Sequence, residues 1–284
     1  MTVLAFDHRH STNYGDHAVT EGALHLLAAA GITDTIRVIP PGSPVPTDDL
    51  VVYGGGDHLY SGPHLDEWLD PLIRAERAIV LPATFGPFTP ADEARVRLLG
   101  RHAIAARDPA SAETMRAILG REVPLLIDPA AFLPFPDPRH GRYRLWAPRR
   151  DDVGMRAGYE SQRRPRETAA FVSYVKQYRA WPAPGVLLVA HSQHDVALCR
   201  AIADDIRMPW VRPTSLRQLL ELYAACGPVR TSRYHGALFA RMLGKRLTLR
   251  PWPAHGHKWS GLPSAVELPA RKAATLAWLR RAIS

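Results

Sequence analysis

The feature of this chain that most restricts its fold is an alternation. Short apolar runs of four or five residues alternate with segments whose apolar residues recur at helical spacing. Strands separated by helices pair in parallel, because the crossover returns the chain to the same end of the sheet, and both faces are then covered. In the first half, Thr2–Phe6, Ile36–Ile39, Leu50–Tyr53, Ala78–Pro82, Ala103–Ala106 and Leu125–Asp128 read as strands. Helices are expected over Asp16–Ala30, with Val19, Ala23, Leu26, Leu27 and Ala30 on one stripe, and near His64–Arg74, Ala91–Leu99 and Ser111–Leu119. Asn13 or Asp16 suits the cap of the first helix, and Gly31 its end.

Leu133-Pro134-Phe135-Pro136-Asp137-Pro138-Arg139-His140-Gly141 interrupts the pattern. Its alternate prolines remove backbone donors and fix φ, which marks a linker. Beyond it, strands are expected over Tyr143–Ala147, Val186–Ala190, Val229–Ser232 and Arg246–Leu249. Helices are expected over Glu167–Tyr178, His194–Ile206, Ser215–Cys226, His235–Leu243 and Ala270–Ile283. The predicted organisation is an N-terminal α/β domain over 1–134, a C-terminal α/β domain over 142–265 and a basic helix within 266–284. The fold class is therefore α/β, two Rossmann-like halves with parallel sheets facing a cleft. Open parallel sheets bind ligands at the carboxyl ends of their strands, so the cleft is the expected site.

Composition narrows the function classes. At 46% hydrophobic and 22% charged, the chain is ordinary for a globular protein and too apolar for a disordered one. Its apolar stretches fall far short of the ~20 residues that cross a bilayer. The N-terminus lacks a basic region followed by a long apolar one, so a cytoplasmic location is expected. Cys199 and Cys226 are too few for a disulfide framework or a four-ligand zinc site, and burial on helices is their expected role. The net charge is +9, from 32 arginines against four lysines. Because the arginines are spread along the chain rather than massed in a stripe, readings as a nucleic-acid or membrane-surface binder are weakened, and no nucleic-acid partner is expected. Arg271, Lys272, Arg280 and Arg281 on the last helix suit either peripheral contact with an anionic membrane surface or packing on the helix's own domain, and the second is expected.

Four clusters carry chemistry. Asn13-Tyr14-Gly15-Asp16 lies between the first strand and helix, where Gly15 permits a tight turn and a helix N-terminus offers N–H groups to an anion. Gly54-Gly55-Gly56 ends another strand and removes every side chain from one spot, which admits a ligand or another backbone, or makes a plain turn. Arg107-Asp108 ends a third strand, as a local ion pair or a cleft contact, with Ser111 opening the next helix. Arg233-Tyr234-His235 stands at a strand-to-helix junction. There arginine supplies a planar fork for carboxylate or phosphate, and histidine gives and takes protons near neutrality. His191 and His194 follow a strand of the second half and suit substrate contact. The histidines, His255 and His257 included, lack any metal-ligand spacing, and no metal is expected.

Taken in order, these elements resemble the polysaccharide pyruvyl transferase family. The matching pieces are Asn13-Tyr14-Gly15-Asp16, Gly54-Gly55-Gly56, Leu81-Pro82-Ala83-Thr84-Phe85-Gly86-Pro87, Ala106-Arg107-Asp108 with Ser111, and Ser232-Arg233-Tyr234-His235-Gly236-Ala237, with Lys258 after the last strand. Tyr234 stands where a leucine is common. The resemblance implies a two-domain fold like that of GT-B glycosyltransferases. It also implies transfer of the pyruvyl group of phosphoenolpyruvate onto two hydroxyls of a saccharide or glycosylated small molecule, giving a cyclic ketal and phosphate without a cofactor. It makes Arg233 and one of Arg149 and Arg150 expected donor contacts, with Lys258 beside them; His191, from its place after a strand, is expected to join them, with His235 as the acid/base and Asp16 as a second catalytic candidate. Asn13, Gly15, Gly55, Gly56 and Arg107 are then expected to line the acceptor side. Asp151–Arg166 reads as a solvated loop or a flap over the phosphate. The rival is a GT-B glycosyltransferase using a nucleotide sugar, which would want an acidic residue where Arg233-Tyr234-His235 stands. A non-catalytic binding subunit is the third reading, and the Arg233/His235 pair argues against it.

Overall fold

The computed structural model describes residues 2–32, 35–46, 49–139, 141, 143–149, 185–250 and 259–284. The chain forms two compact units. One comprises Met1–Ser11, Asp16–Leu133 and His257–Ser284, the other Thr12–Gly15 and Pro134–Gly256. The proline stretch thus begins at the passage from the first unit to the second, while the C-terminal helix belongs to the first.

The strands of the first unit are β1 (Val3–Phe6), β2 (Ile36–Ile39), β3 (Leu50–Tyr53), β4 (Gly56–Leu59), β5 (Arg77–Phe85) and β6 (Ala103–Ala106), all paired in parallel. β1 and β3 are buried at every position, as the central strands of a sheet covered on both faces must be. The first helix, α1 (Tyr14–Ala29), buries Val19, Ala23, Leu26 and Leu27, the stripe expected from its periodicity. The other helices here are α2 (Leu65–Arg74), α3 (Pro90–Val96) and α4 (Pro109–Leu119).

Two features depart from the sequence expectation. β5 runs to nine residues because one of its edges takes two partners in succession. β3 pairs with it from Leu50↔Arg77 to Tyr53↔Val80, and β4 starts at Gly56↔Ala83 in the same register and shifts by one residue before Leu59↔Phe85, while β6 holds the other edge. Gly54 and Gly55 follow the end of β3, as expected, but the chain then returns to the same edge of β5 as a further strand, β4. Across the sheet the order is β2-β1-β3-β5-β6, with the direction of winding reversing between β1 and β3. The second departure is Leu125–Asp128, which forms no strand. It contributes one isolated bridge, Ala106↔Leu125, and then a 3₁₀ turn over Pro129–Phe132.

In the second unit, β7 (Arg144–Ala147), β8 (Val186–Val189), β9 (Trp210–Val211), β10 (Val229–Thr231) and β11 (Leu247–Leu249) form a parallel sheet in the order β11-β10-β7-β8-β9. This is the Rossmann order, with its switch point between β7 and β10. The helices are α5 (Gln193–Ile206), α6 (Leu216–Ala225) and α7 (Tyr234–Met242). α5 packs Leu198, Ile202 and Ala203 against Trp146 and Leu188. Both cysteines are buried, Cys199 within α5 and Cys226 at the end of α6. The expected helix over Glu167–Tyr178 and the segment Asp151–Arg166 lie outside the described residues.

The last helix, α8 (Leu268–Ile283), packs on the first unit, where Leu279 joins Val3, Leu26, Leu27 and Val52 in one cluster. Its cations are partly committed there. Arg280 donates to the Ala29 carbonyl, Arg271 to that of Gly261, and Lys272 sits over the Phe132 ring. Among the described residues no helix is long and apolar enough to cross a membrane.

Candidate active site

A switch point is where parallel-sheet folds leave room for a ligand, because the crossovers on either side leave in opposite directions. In the second unit, β7 and β10 meet there with Ala147 beside Thr231. The Ser232 amide and the Thr231 hydroxyl both donate to the Ala147 carbonyl, at 3.1 Å each, which fixes the two strand ends to each other. Arg149 leaves the end of β7 half-buried. Arg233 and His235 leave the end of β10, Arg233 as the N-cap of α7 and His235 in its first turn. The fork and the imidazole thus spring from one bend. Arg150 and Lys258 lie outside the described residues.

Arg233 is not a bare cation. Its Nη2 pairs with Asp195, whose side chain is fully buried, and donates to Ser192 Oγ at 3.1 Å. The Arg233 side chain as a whole keeps 14% of its surface exposed. Asp195 and Ser192 come from the start of α5, directly after β8.

Beside this pair His191 is sealed rather than open to substrate, being 1% exposed. Its Nε2 shares a 2.8 Å hydrogen bond with the Tyr223 hydroxyl, and its ring stacks on Phe239. Burial first, and then the Arg233 cation, holds its pKa down to about 3, so it is neutral. The same burial pushes the Tyr223 hydroxyl well up. His191, expected among the donor contacts, is thus placed as a floor under α7. Gly236 completes that floor, since a Cβ there would lie 2.6 Å from the Tyr223 hydroxyl and 2.7 Å from Thr231 Oγ1. His194 is exposed.

The segment before α1 is also accounted for differently. Its first amides are already engaged: Tyr14 N–H donates to the His191 carbonyl at 3.0 Å and Gly15 N–H to Asn13 Oδ1 at 3.1 Å. Asn13 thus caps the helix, and the Tyr14 hydroxyl donates to the Pro213 carbonyl. Gly15 serves close approach rather than a turn, for a Cβ at that position would sit 2.3 Å from His235 Nδ1. Glycine lets the imidazole lie directly on the backbone. Asp16 is buried in the first turn of α1, where a carboxylate favours the helix dipole.

In the first unit the expected acceptor-side residues turn inward. Arg107 is 2% exposed and its side chain is engaged within the protein, Nη1 on Asp128 at 2.6 Å and Nε on Thr84 Oγ1 at 2.7 Å. Its ion-pair partner is Asp128 and not the adjacent Asp108. Asp108 caps α4 by accepting from the Ser111 amide and hydroxyl. Gly55 has φ +102°, and a Cβ on it would meet the Pro82 carbonyl at 2.8 Å and the Pro129 ring at 3.2 Å. What a side chain would meet there is another part of the protein. Gly56, with φ +91°, is the first residue of β4.

Asp195, Ser192, Tyr223 and Asp128 did not stand out in the sequence. Ser192 and Asp195 do show the Ser-x-x-Asp spacing of a helix start, but their tie to Arg233 spans about forty positions and leaves no local pattern. Among the described residues no group of three or more histidine, cysteine or acidic side chains is arranged to hold a metal ion.

No curated protein matches the chain. Among solved structures, a functionally uncharacterized protein of Klebsiella pneumoniae superimposes with a TM-score of 0.55 at 13% identity, over 91% of this chain and 86% of its own. A structure described as a putative UDP-N-acetylglucosamine 2-epimerase of Listeria monocytogenes gives 0.53 at 13% identity, over 99% and 91%. At such identity the likeness is one of fold, and it agrees with two parallel α/β units of the GT-B-like class. The profile described as Polysaccharide pyruvyl transferase matches residues 13–248, from the cap of α1 to β11, and takes in Arg107, Arg149, Arg233 and His235. By that match the chain belongs to the polysaccharide pyruvyl transferase family, and so to the transferases.

Proposed function

We propose that the protein moves the pyruvyl group of phosphoenolpyruvate onto two hydroxyls of a saccharide, or of a glycosylated small molecule, as a cyclic ketal. The observation that carries this reading is the emergence of Arg233 and His235 from one bend at the switch point of a Rossmann-ordered sheet, with Arg149 at the end of the adjoining strand. Family membership supports it.

The donor carries a carboxylate and a phosphate, and guanidinium forks stay charged while binding both. Arg233 grips one of these anions, and Arg149, with Arg150 and Lys258 as further candidates, contributes to the other. His235 delivers a proton to the methylene carbon of the donor, which becomes a methyl group. The positive character that develops at the neighbouring carbon draws in the first acceptor hydroxyl. The second hydroxyl then displaces phosphate from that carbon, closing the ketal. Of the two hydroxyl protons lost, one balances the proton given to carbon and the other leaves with phosphate. Asp16 is assigned to orient or deprotonate an acceptor hydroxyl. The donor is its own activated species, so the reaction as written needs no further cofactor.

The test is release of inorganic phosphate from phosphoenolpyruvate across a panel of saccharides and glycosides. Acceptor-dependent release, with a mass gain of one pyruvyl ketal on the acceptor, is the expected result. Consumption of a nucleotide sugar, with phosphoenolpyruvate left intact throughout the panel, would replace this reading with glycosyl transfer.

A further inference from the structure

Pyruvyl transfer as proposed gives Asp195 no task, yet its fully buried carboxylate lies directly on the donor-binding arginine. Ser192 sharpens the point. It opens α5 with φ −142° and ψ 166°, the backbone of an N-cap, but its side chain makes no cap bond to the helix. The hydroxyl instead accepts from Arg233 Nη2, the same nitrogen that Asp195 holds. A terminal guanidinium nitrogen carries two N–H groups, and two acceptors on it set the plane of the whole fork. The helix forgoes an available cap to do this.

We infer that Asp195, with Ser192, is the positioning residue that fixes the orientation of the Arg233 guanidinium towards the donor anion. The inference rests on the proposed function for the identity of that anion, whereas the hold on Arg233 is independent of it. Asp195 is fully buried and cannot swing out to water, while Arg233 stays partly exposed, so the carboxylate steadies the fork from beneath. The carboxylate also offsets part of the arginine's charge. Losing it therefore has two effects of opposite sign: an anion is attracted more strongly, and the fork is no longer aimed.

The test is steady-state kinetics of the full chain with phosphoenolpyruvate and a saccharide acceptor, on Asp195→Asn and Ser192→Ala. For Asp195→Asn, kcat is expected to fall about 10–100-fold, the scale of a misplaced binding group, with KM for phosphoenolpyruvate equal to or below that of the unaltered protein. An unchanged kcat, or a KM that rises, would overturn the inference. Ser192→Ala leaves the carboxylate in place and is expected to lower kcat about 3–10-fold without changing thermal unfolding. It carries the test if Asp195→Asn does not fold, and an unchanged kcat in it then overturns the inference. A second measurement needs no substrate: the rate at which phenylglyoxal modifies Arg233, read by peptide mass spectrometry, should rise in either variant, and equal rates would contradict the hold on the fork. If the unaltered protein releases no phosphate while Arg233 reactivity rises in the variants, the donor assignment fails and the positioning role survives. If the unaltered protein turns over while Arg233 reactivity stays equal in the variants, the donor assignment survives and the positioning role fails.

Discussion

Each unit places an arginine at the carboxyl end of a sheet strand and pairs it with a buried aspartate, and the two pairs are used differently. Arg107, after β6, is 2% exposed against a wholly buried Asp128, and Thr84 takes another nitrogen of its guanidinium. Asp128 also caps the Pro129–Phe132 turn by accepting from the Ala130 amide. That pair ties β5, β6 and the following turn together. Arg233, after β10, has an equally buried aspartate beneath it but retains an exposed surface of its own. Sealing both partners makes a structural tie; sealing the carboxylate alone makes a mounted cation. The difference matters because a charge without solvent or partner is costly, so a ligand-binding arginine needs a built-in counter-charge that does not cover it.

The largest effect expected from this contrast is at His235, beside the mounted cation. His235→Ala should lower turnover about 10²–10⁴-fold, the usual contribution of a general acid, with thermal unfolding unchanged. Equal turnover on a true acceptor would remove the imidazole from the mechanism. The sealed pair should respond in stability rather than in rate. Asp128→Ala leaves Arg107 buried without its counter-charge and should cost about 3–5 kcal/mol in chemical denaturation. A double replacement, Arg107→Met with Asp128→Leu, should recover most of that loss, because apolar packing can substitute for a buried ion pair. Arg233→Met with Asp195→Leu should likewise fold but release no phosphate. Recovery of activity in that second double variant would erase the distinction between the pairs.

Acid should weaken both units through buried neutral histidines. His191 has a folded pKa of about 3 against an ordinary 6.5, and His102 in the first unit is also lowered, by burial and then by Arg101. Between those values for His191 the unfolded chain binds a proton that the folded one refuses. Its stabilising contribution is therefore full above about pH 6.5 and declines as pH falls towards about 3, by up to about 1.4 kcal/mol per pH unit for one proton. Urea titrations of the unaltered protein and His191→Gln across that range measure the slope, and an equally steep slope in the variant would exclude His191 as its source. The smallest effects come from two glycines. Gly55→Ala should cost more than the about 1–2 kcal/mol of its left-handed backbone, because the new Cβ would also lie 2.8 Å from the Pro82 carbonyl, with little change in turnover. Gly15→Ala should instead lower turnover by displacing the His235 ring. Similar losses of turnover in both would place Gly55 in the site after all.

The strand–helix alternation, the stripe on α1 and the burial of both cysteines were legible in the sequence because each depends on periodicity or hydrophobicity within one segment. So was the bend bearing Arg233 and His235, since a strand-to-helix junction is a local pattern. β4 was not, because Gly54 and Gly55 read locally as a stop, and only the long edge of β5 lets the chain return to it as a further strand. Leu125–Asp128 looked like a strand from composition, yet backbone pairing gives it a single bridge.

Tertiary structure alone decided which arginine is sealed and which is presented. Arg107 and Arg233 occupy the same kind of position in sequence, and nothing adjacent to either names its counter-charge. Asp128 and Asp195 are brought to them by the return of the chain to neighbouring elements, and the interaction that separates a tie from a binding group acts through space rather than along the backbone. The same holds for His191. Its place after a strand suited substrate contact, and burial beside Tyr223 and Phe239 sets it under α7.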